Sequence, residues 1–188
     1  MKNKLSVLLI IFLGGYFLEG CLSVETKEYS FKLKGDKSGD GKIKYINIMR
    51  SSDSLGTVES DYNDLIDNYL NGNKLESELT GIKNIKKRLF EEDDQLCGEM
   101  TFDFDDITKL KFYNYNNKVL CYFLGSNPMN IFGSSETYFS SNGTFAGETF
   151  PVIFWDIDQK KFELKTSLTQ PSEKTTSLLE MWNQKGEK

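Results

Sequence analysis

The chain has 188 residues, with 23 basic and 28 acidic side chains, no histidine and a formal net charge of −5. The missing histidine excludes Ser-His-Asp and Cys-His nucleophilic catalysis, HExxH metal chemistry, His-ligated zinc and CxxCH haem attachment. A mildly acidic chain whose only arginines are Arg50 and Arg88 lacks the clustered cations that nucleic acid binding requires, so no nucleic acid partner is expected.

Lys2 and Lys4 precede an apolar run from Leu5 to Phe17, broken only by Ser6 and Gly14-Gly15. The run is shorter than the roughly 20 residues of a bilayer span. It fits the apolar core of an export signal, about 7–15 residues long, whose charged end stays cytoplasmic. Leu18-Glu19-Gly20-Cys21 follows. These residues resemble the lipobox of bacterial lipoproteins, with Leu18 as the aliphatic position and Gly20 as the small one; Glu19 departs from the pattern. The resemblance implies a diacylglycerol on the Cys21 sulfur and cleavage before it by signal peptidase II, making Cys21 the new N-terminus. It covers residues 1–21 and assigns a location, the bacterial cell envelope, with the membrane as partner through the N-terminal lipid. Leu22, rather than Asp, follows the cysteine; by analogy this points to the outer membrane where the organism has one.

The expected organisation is a signal peptide at 1–20, a lipidated tether at 21–28 and a single domain at 29–188. Two or more acyl chains anchor stably where one binds marginally. Loss of the signal, with its two lysines and one glutamate, takes the net charge to −6. The remaining chain suits one domain burying about 70% of its unfolded surface.

Tyr29, Phe31 and Leu33 alternate with Ser30, Lys32 and Lys34, the period of a half-exposed strand. After the Gly/Asp/Ser turn 35–41, Lys42 to Met49 resumes as a strand, completing a hairpin. Its apolar phase changes between Tyr45 and Ile46, which predicts a bulge or burial on both faces. Val58, Tyr62, Leu65, Ile66, Tyr69 and Leu70 recur at helical spacing, with Ser60 as the expected N-cap and Asn71-Gly72 as the stop. A short helical turn is expected at 74–79. Strands are predicted at 82–91 and 96–104 around the turn 92–95, with Leu96, Gly98, Met100, Phe102 and Phe104 facing in and Cys97, Glu99, Thr101 and Asp103 facing out. Asn116-Asn117 between 111–115 and 118–124 is a tight-turn signal. A loop spans 125–137. Strands at 152–157 and 161–168 bracket Asp158-Gln159-Lys160 and read as a further hairpin. A last helix opens at Pro171-Ser172 and carries Leu178, Leu179 and Trp182. The order predicts an α+β fold: a mainly antiparallel sheet built from hairpins, with one or two helices packed on one face.

Four constellations carry candidate chemistry. Asp36, Ser38 and Asp40 before Gly41 match the opening half of a calcium loop, but position twelve is Asn47 rather than Glu and the flanks read as strands, so a strand-joining turn explains the same residues. Glu91 to Asp94 form an acidic hairpin tip, and Glu99, Asp103 and Asp105 extend one strand face; a solvated surface is the expected state of both. Cys97 and Cys121 either bridge neighbouring strands or remain buried thiols. The aromatic final third, Phe132 to Phe162, fills a core more readily than it lines a groove for a lipid, glycan or partner. Asn142-Gly143-Thr144 reads as a turn.

No catalytic residues, cofactor or metal are assigned. The expected function is a non-enzymatic envelope lipoprotein that binds another envelope protein or an apolar ligand. The alternatives are a carboxylate-based enzyme acting on envelope glycans, which needs two acids converging in a cleft, and a surface-exposed structural or interaction protein.

Overall fold

A computed structural model describes residues 22–52, 56–77, 79–124 and 136–185. Its strands divide between two antiparallel sheets. The larger is built from β1 (Leu22–Leu33), β2 (Gly39–Ser51), β3 (Ile82–Glu92), β4 (Gln95–Phe104), β7 (Thr137–Ser141), β10 (Lys161–Ser167) and β11 (Thr175–Ser177). Its order is β3-β4-β2-β1-β10-β7, with β11 pairing the end of β2. The smaller sheet runs β5 (Phe112–Tyr115), β6 (Val119–Phe123), β9 (Val152–Asp156), β8 (Thr144–Phe145). The α+β class read from the sequence holds, mostly antiparallel with few helices.

The first departure lies at the start of the domain. Residues 22–28, expected as a tether, form the first half of β1, and Leu22 and Val24 are buried. Leu22 pairs with Arg50 and Val24 with Ile48. The apolar phase of both strands switches near Asn47, whose φ of 56° is left-handed and whose side-chain amide donates to Glu25 at 2.8 Å. Asparagine tolerates this conformation better than other side chains. On one side of the kink Tyr29, Phe31, Ile43 and Tyr45 face the core; on the other, Leu22, Val24 and Ile48 do.

The helical stripe Tyr62, Leu65, Ile66 and Tyr69 is buried as its spacing predicts. Its geometry differs. The α1 helix (Val58–Asp64) passes into a π-helical stretch, Leu65–Leu70. The cap is Thr57, which accepts from the Ser60 amide at 3.1 Å, whereas Ser60 was the expected cap. The C-terminal helix also starts late: Thr175–Ser177 pair with β2, and α2 spans only Leu179–Lys185. Leu178, just before α2, and Trp182, within it, are buried.

Strands 152–157 and 161–168 do not form a hairpin. A 3-10 turn at Ile157–Gln159, closed by left-handed Lys160 (φ 58°), turns the chain from the small sheet into the large one. Two other turns follow the sequence closely. Asn116 and Asn117 both adopt positive φ, as do Asp93 and Asp94 at the acidic tip, which is the backbone of a type I′ hairpin.

The core lies where the small sheet and the helices cover one face of the large sheet. Phe112 sits near its centre, with ring centroids 5.0 Å from Phe31, 5.0 Å from Tyr122 and 5.9 Å from Trp155. Asn142 holds Trp155 in place, accepting its indole N–H at 2.7 Å and the Glu163 amide at 2.8 Å. The other face of the large sheet is polar and wet, laced by Lys165–Glu28 at 3.0 Å and Arg88–Glu99 at 2.9 Å.

Candidate functional site: a buried ion pair beneath a cleft

The residues of greatest chemical interest lie in one row across the large sheet. Tyr45, Lys27 and Thr166 are direct cross-strand neighbours on β2, β1 and β10, and Tyr138 on β7 continues the row. Lys27 has the parity of Tyr29, Phe31 and Leu33, so the pleat turns its side chain into the core, where it is fully buried. An ammonium there requires a partner. Glu136, the residue before β7, supplies it: Lys27 Nζ lies 2.9 Å from Glu136 Oε1, with 0% and 1% of the two side chains exposed.

The carboxylate is held on both oxygens. Tyr29 donates to Oε1 at 2.8 Å and to Oε2 at 3.0 Å, and Thr166 Oγ1 donates to Oε2 at 2.9 Å. Lys27 Nζ also lies 5.9 Å from the centre of the Tyr45 ring. Burial pushes the Tyr29 phenol well above its ordinary range, and the neighbouring Glu136 charge adds to this. Tyr122, entering from the small sheet, is pushed up by the same two causes. Its buried hydroxyl has no hydrogen-bond partner among the described residues.

A carboxylate that accepts from an ammonium and two hydroxyls is committed as an acceptor. The ammonium opposite is committed as a donor. The pair therefore fixes geometry: it pins the start of β7 and with it Tyr138. Above it opens a cleft of about 430 Å³ lined by Leu124, Glu136, Thr137, Tyr138, Phe145, Glu148 and Pro151. Tyr138 and Phe145 stack at 3.9 Å and 6°, giving the cleft a flat aromatic wall.

The residues singled out by sequence are placed elsewhere. Cys21 lies outside the described residues, as does Phe132. Asp40 belongs to β2 and is ion-paired with Lys34 at 2.7 Å, while Asp36 and Ser38 sit in the exposed turn before it. Among the described residues no group of three or more His, Cys, Asp or Glu side chains is placed to hold a metal.

Cys97 and Cys121 are both buried free thiols, the first on β4 of the large sheet and the second on β6 of the small one. The candidate bridge is thus not formed, because the two strands never neighbour each other. Cys97 faces away from the core as expected but is covered rather than exposed, and burial raises both thiols above their usual range. The acids are dispersed. Asp93 and Asp94 form the exposed tip, Glu92 pairs with Lys44, Glu99 with Arg88, and Asp105 with Lys83 at 2.7 Å.

The aromatic third divides. Trp155 and Phe162 are core, Tyr138 and Phe145 wall the cleft, and Phe139 and Phe150 are exposed. Lys27 and Glu136 are the functional candidates that sequence reasoning missed. The parity of Lys27 was a usable signal; nothing marked Glu136, which is 109 residues away.

Comparison with known proteins adds no precedent: no family model, curated protein or solved structure matches the chain. Among the described residues no helix is long and apolar enough to cross a membrane.

Proposed function

We propose that the protein is a membrane-anchored envelope lipoprotein, lipidated at Cys21, whose α+β domain binds another envelope component or an apolar ligand without chemistry of its own. The anchor half rests on the basic start, the apolar run and Leu18-Glu19-Gly20-Cys21. The binding half rests on one observation, the cleft beside Glu136. Its stacked Tyr138–Phe145 wall and apolar Leu124 and Pro151 suit an apolar or ring-bearing ligand. Its buried acid is engaged by Lys27, Tyr29 and Thr166 rather than offered as a base.

Mass spectrometry of the membrane fraction tests the anchor. An acylated N-terminal Cys21 is expected, and an intact Met1 N-terminus overturns it. Native mass spectrometry tests the cleft: a co-purified ligand should be present in the wild type and lost in Tyr138→Ala.

The carboxylate-enzyme reading keeps one supporting observation, that Glu136 and Glu148 line the same cleft. It predicts new reducing ends when purified envelope glycan is incubated with the protein, and none with Glu148→Gln. No release by the wild type removes it.

A further inference from the structure

Among the described residues five large apolar side chains are exposed. Three of them have a neighbour against the ring. Phe139 lies beside Lys165, whose Nζ is 5.3 Å from the ring centre, and Phe123 meets Phe150 edge to face at 5.9 Å. Tyr113 and Tyr115, 61% and 58% exposed, have neither a ring nor a cation against them among the described residues. Both belong to β5, whose pleat buries Phe112 and turns the two tyrosines outward on one face. Two residues apart, they stand about 7 Å from each other along the strand. β5 is also an edge of the small sheet, with no described strand beyond it.

A groove of about 440 Å³ runs beside the same edge, and its walls include Tyr113, Lys37, Thr108, Asn114, Asn116 and Asn117. Carboxamides dominate it, and no carboxylate lines it. Each carboxamide offers two donors and one acceptor. The turn holds them in place: Asn116 and Asn117 are left-handed, at φ 51° and 53°, and Asn114 Nδ2 donates to Asn117 Oδ1 at 3.3 Å. The Asn116 side chain makes no hydrogen bond among the described residues. The one cation among the lining residues, Lys37, faces Asp106 at 3.9 Å. This place is distinct from the Glu136 cleft. Tyr115 pairs with Val119 at the start of β6, whereas Leu124, just past the end of β6, lines the cleft.

A groove of carboxamides with its cation paired does not select an ion. Two bare rings beside it do not select a wholly polar ligand. A wholly apolar ligand would leave amides unpaired wherever it covered them. A sugar ring meets both demands. Its hydroxyls donate and accept, as carboxamides do. Its weakly positive C–H groups pack on the negative face of an aromatic ring.

We propose that the outward face of Tyr113 and Tyr115, with the asparagine-lined groove beside it, binds a saccharide chain, its sugar rings stacking on the tyrosines and its hydroxyls bonding the carboxamides. The site holds the chain and carries no acid with which to cut it. It is separate from the Glu136 cleft and does not depend on the lipid anchor.

The test titrates the full-length protein in detergent with chitotetraose, cellotetraose and maltotetraose, by calorimetry and by saturation-transfer NMR. At least one of the three should bind, with transfer to the C–H protons of the sugar. Tyr113→Ala and Tyr115→Ala should each weaken that binding by about tenfold. Tyr113→Phe keeps the ring and should bind like the wild type. Asn116→Gly keeps the left-handed backbone, removes the carboxamide and should weaken binding several-fold. All three positions are exposed, and an unchanged urea midpoint shows that each variant is folded. Failure of all three sugars to bind overturns the site. Binding left intact by both alanine variants overturns it too, as does binding lost in Tyr138→Ala alone, which would assign the saccharide to the Glu136 cleft.

Discussion

Lys27 sits where the alternation of β1 allows only an inward side chain, and its charge is tolerated because Glu136, Tyr29 and Thr166 are arranged around it. Removing one member of such a pair strands an uncompensated charge, at a cost of about 3–5 kcal/mol, whereas replacing both by apolar groups is often neutral. Lys27→Met and Glu136→Gln are each expected to lose stability on that scale by urea denaturation. Lys27→Met combined with Glu136→Leu should recover most of it. Single variants costing no more than surface substitutions would show that the pair holds nothing. Tyr122 is the contrasting residue, a buried hydroxyl without a partner among the described residues. Tyr122→Phe should leave stability unchanged or slightly raised, while Tyr29→Phe removes a donor from a buried carboxylate and should cost about 1–3 kcal/mol. The inward parity of Lys27 was legible in the sequence. Its partner was not, since no local pattern relates positions 109 apart.

At the scale of elements, local periodicity was a good guide to which residues face inward and a poor guide to how strands connect. The phase change in β2 was visible, and Asn47 accounts for it with a left-handed backbone and a bond to Glu25. Asn47→Ala meets the left-handed penalty of roughly 1–2 kcal/mol. Asn47→Gly avoids it and loses only the side-chain bond, so it should be the milder variant in the same unfolding assay. The reverse order would assign the kink to the hydrogen bond rather than the backbone. Strands 152–157 and 161–168 show the opposite case. Two amphipathic strands around a short polar turn look alike whether they pair or pass to different sheets. Here the buried Ile157 and left-handed Lys160 make a corner instead of a hairpin.

At the scale of the whole molecule, the described residues form two sheets and two short helices closing on one aromatic core, and three of the buried tyrosines make it sensitive to alkali. Burial raises Tyr29, Tyr45 and Tyr122 above their ordinary range. Below about pH 10 each is protonated in folded and unfolded chains alike and contributes no pH dependence. Above it the unfolded chain loses protons that the folded chain keeps. Stability then falls by about 1.4 kcal/mol per pH unit for each tyrosine, until the folded group also titrates. Denaturation midpoints should therefore begin to fall at about pH 8.5, where Cys97 and Cys121 titrate in the unfolded chain before the buried thiols do, and drop steeply beyond about pH 10 as the tyrosines add to them. A midpoint unchanged by alkali would contradict the burial of these phenols. The separation of the two sheets gives a simpler expectation: unfolding without reductant should expose two alkylatable thiols, Cys97 and Cys121, and resistance to alkylation would mean that they are bridged.

The sequence by itself determined the α+β class, the inward and outward faces of most strands, the buried helical stripe and two tight turns. Each follows from the pleat, the helical repeat or the φ of a few residues, which are properties of neighbours along the chain. Tertiary structure decided the division into two sheets, the separation of the cysteines, the inclusion of residues 22–28 in β1 and the meeting of Lys27 with Glu136. Those depend on which distant surfaces satisfy one another's apolar area and charge, and a linear pattern does not carry that information.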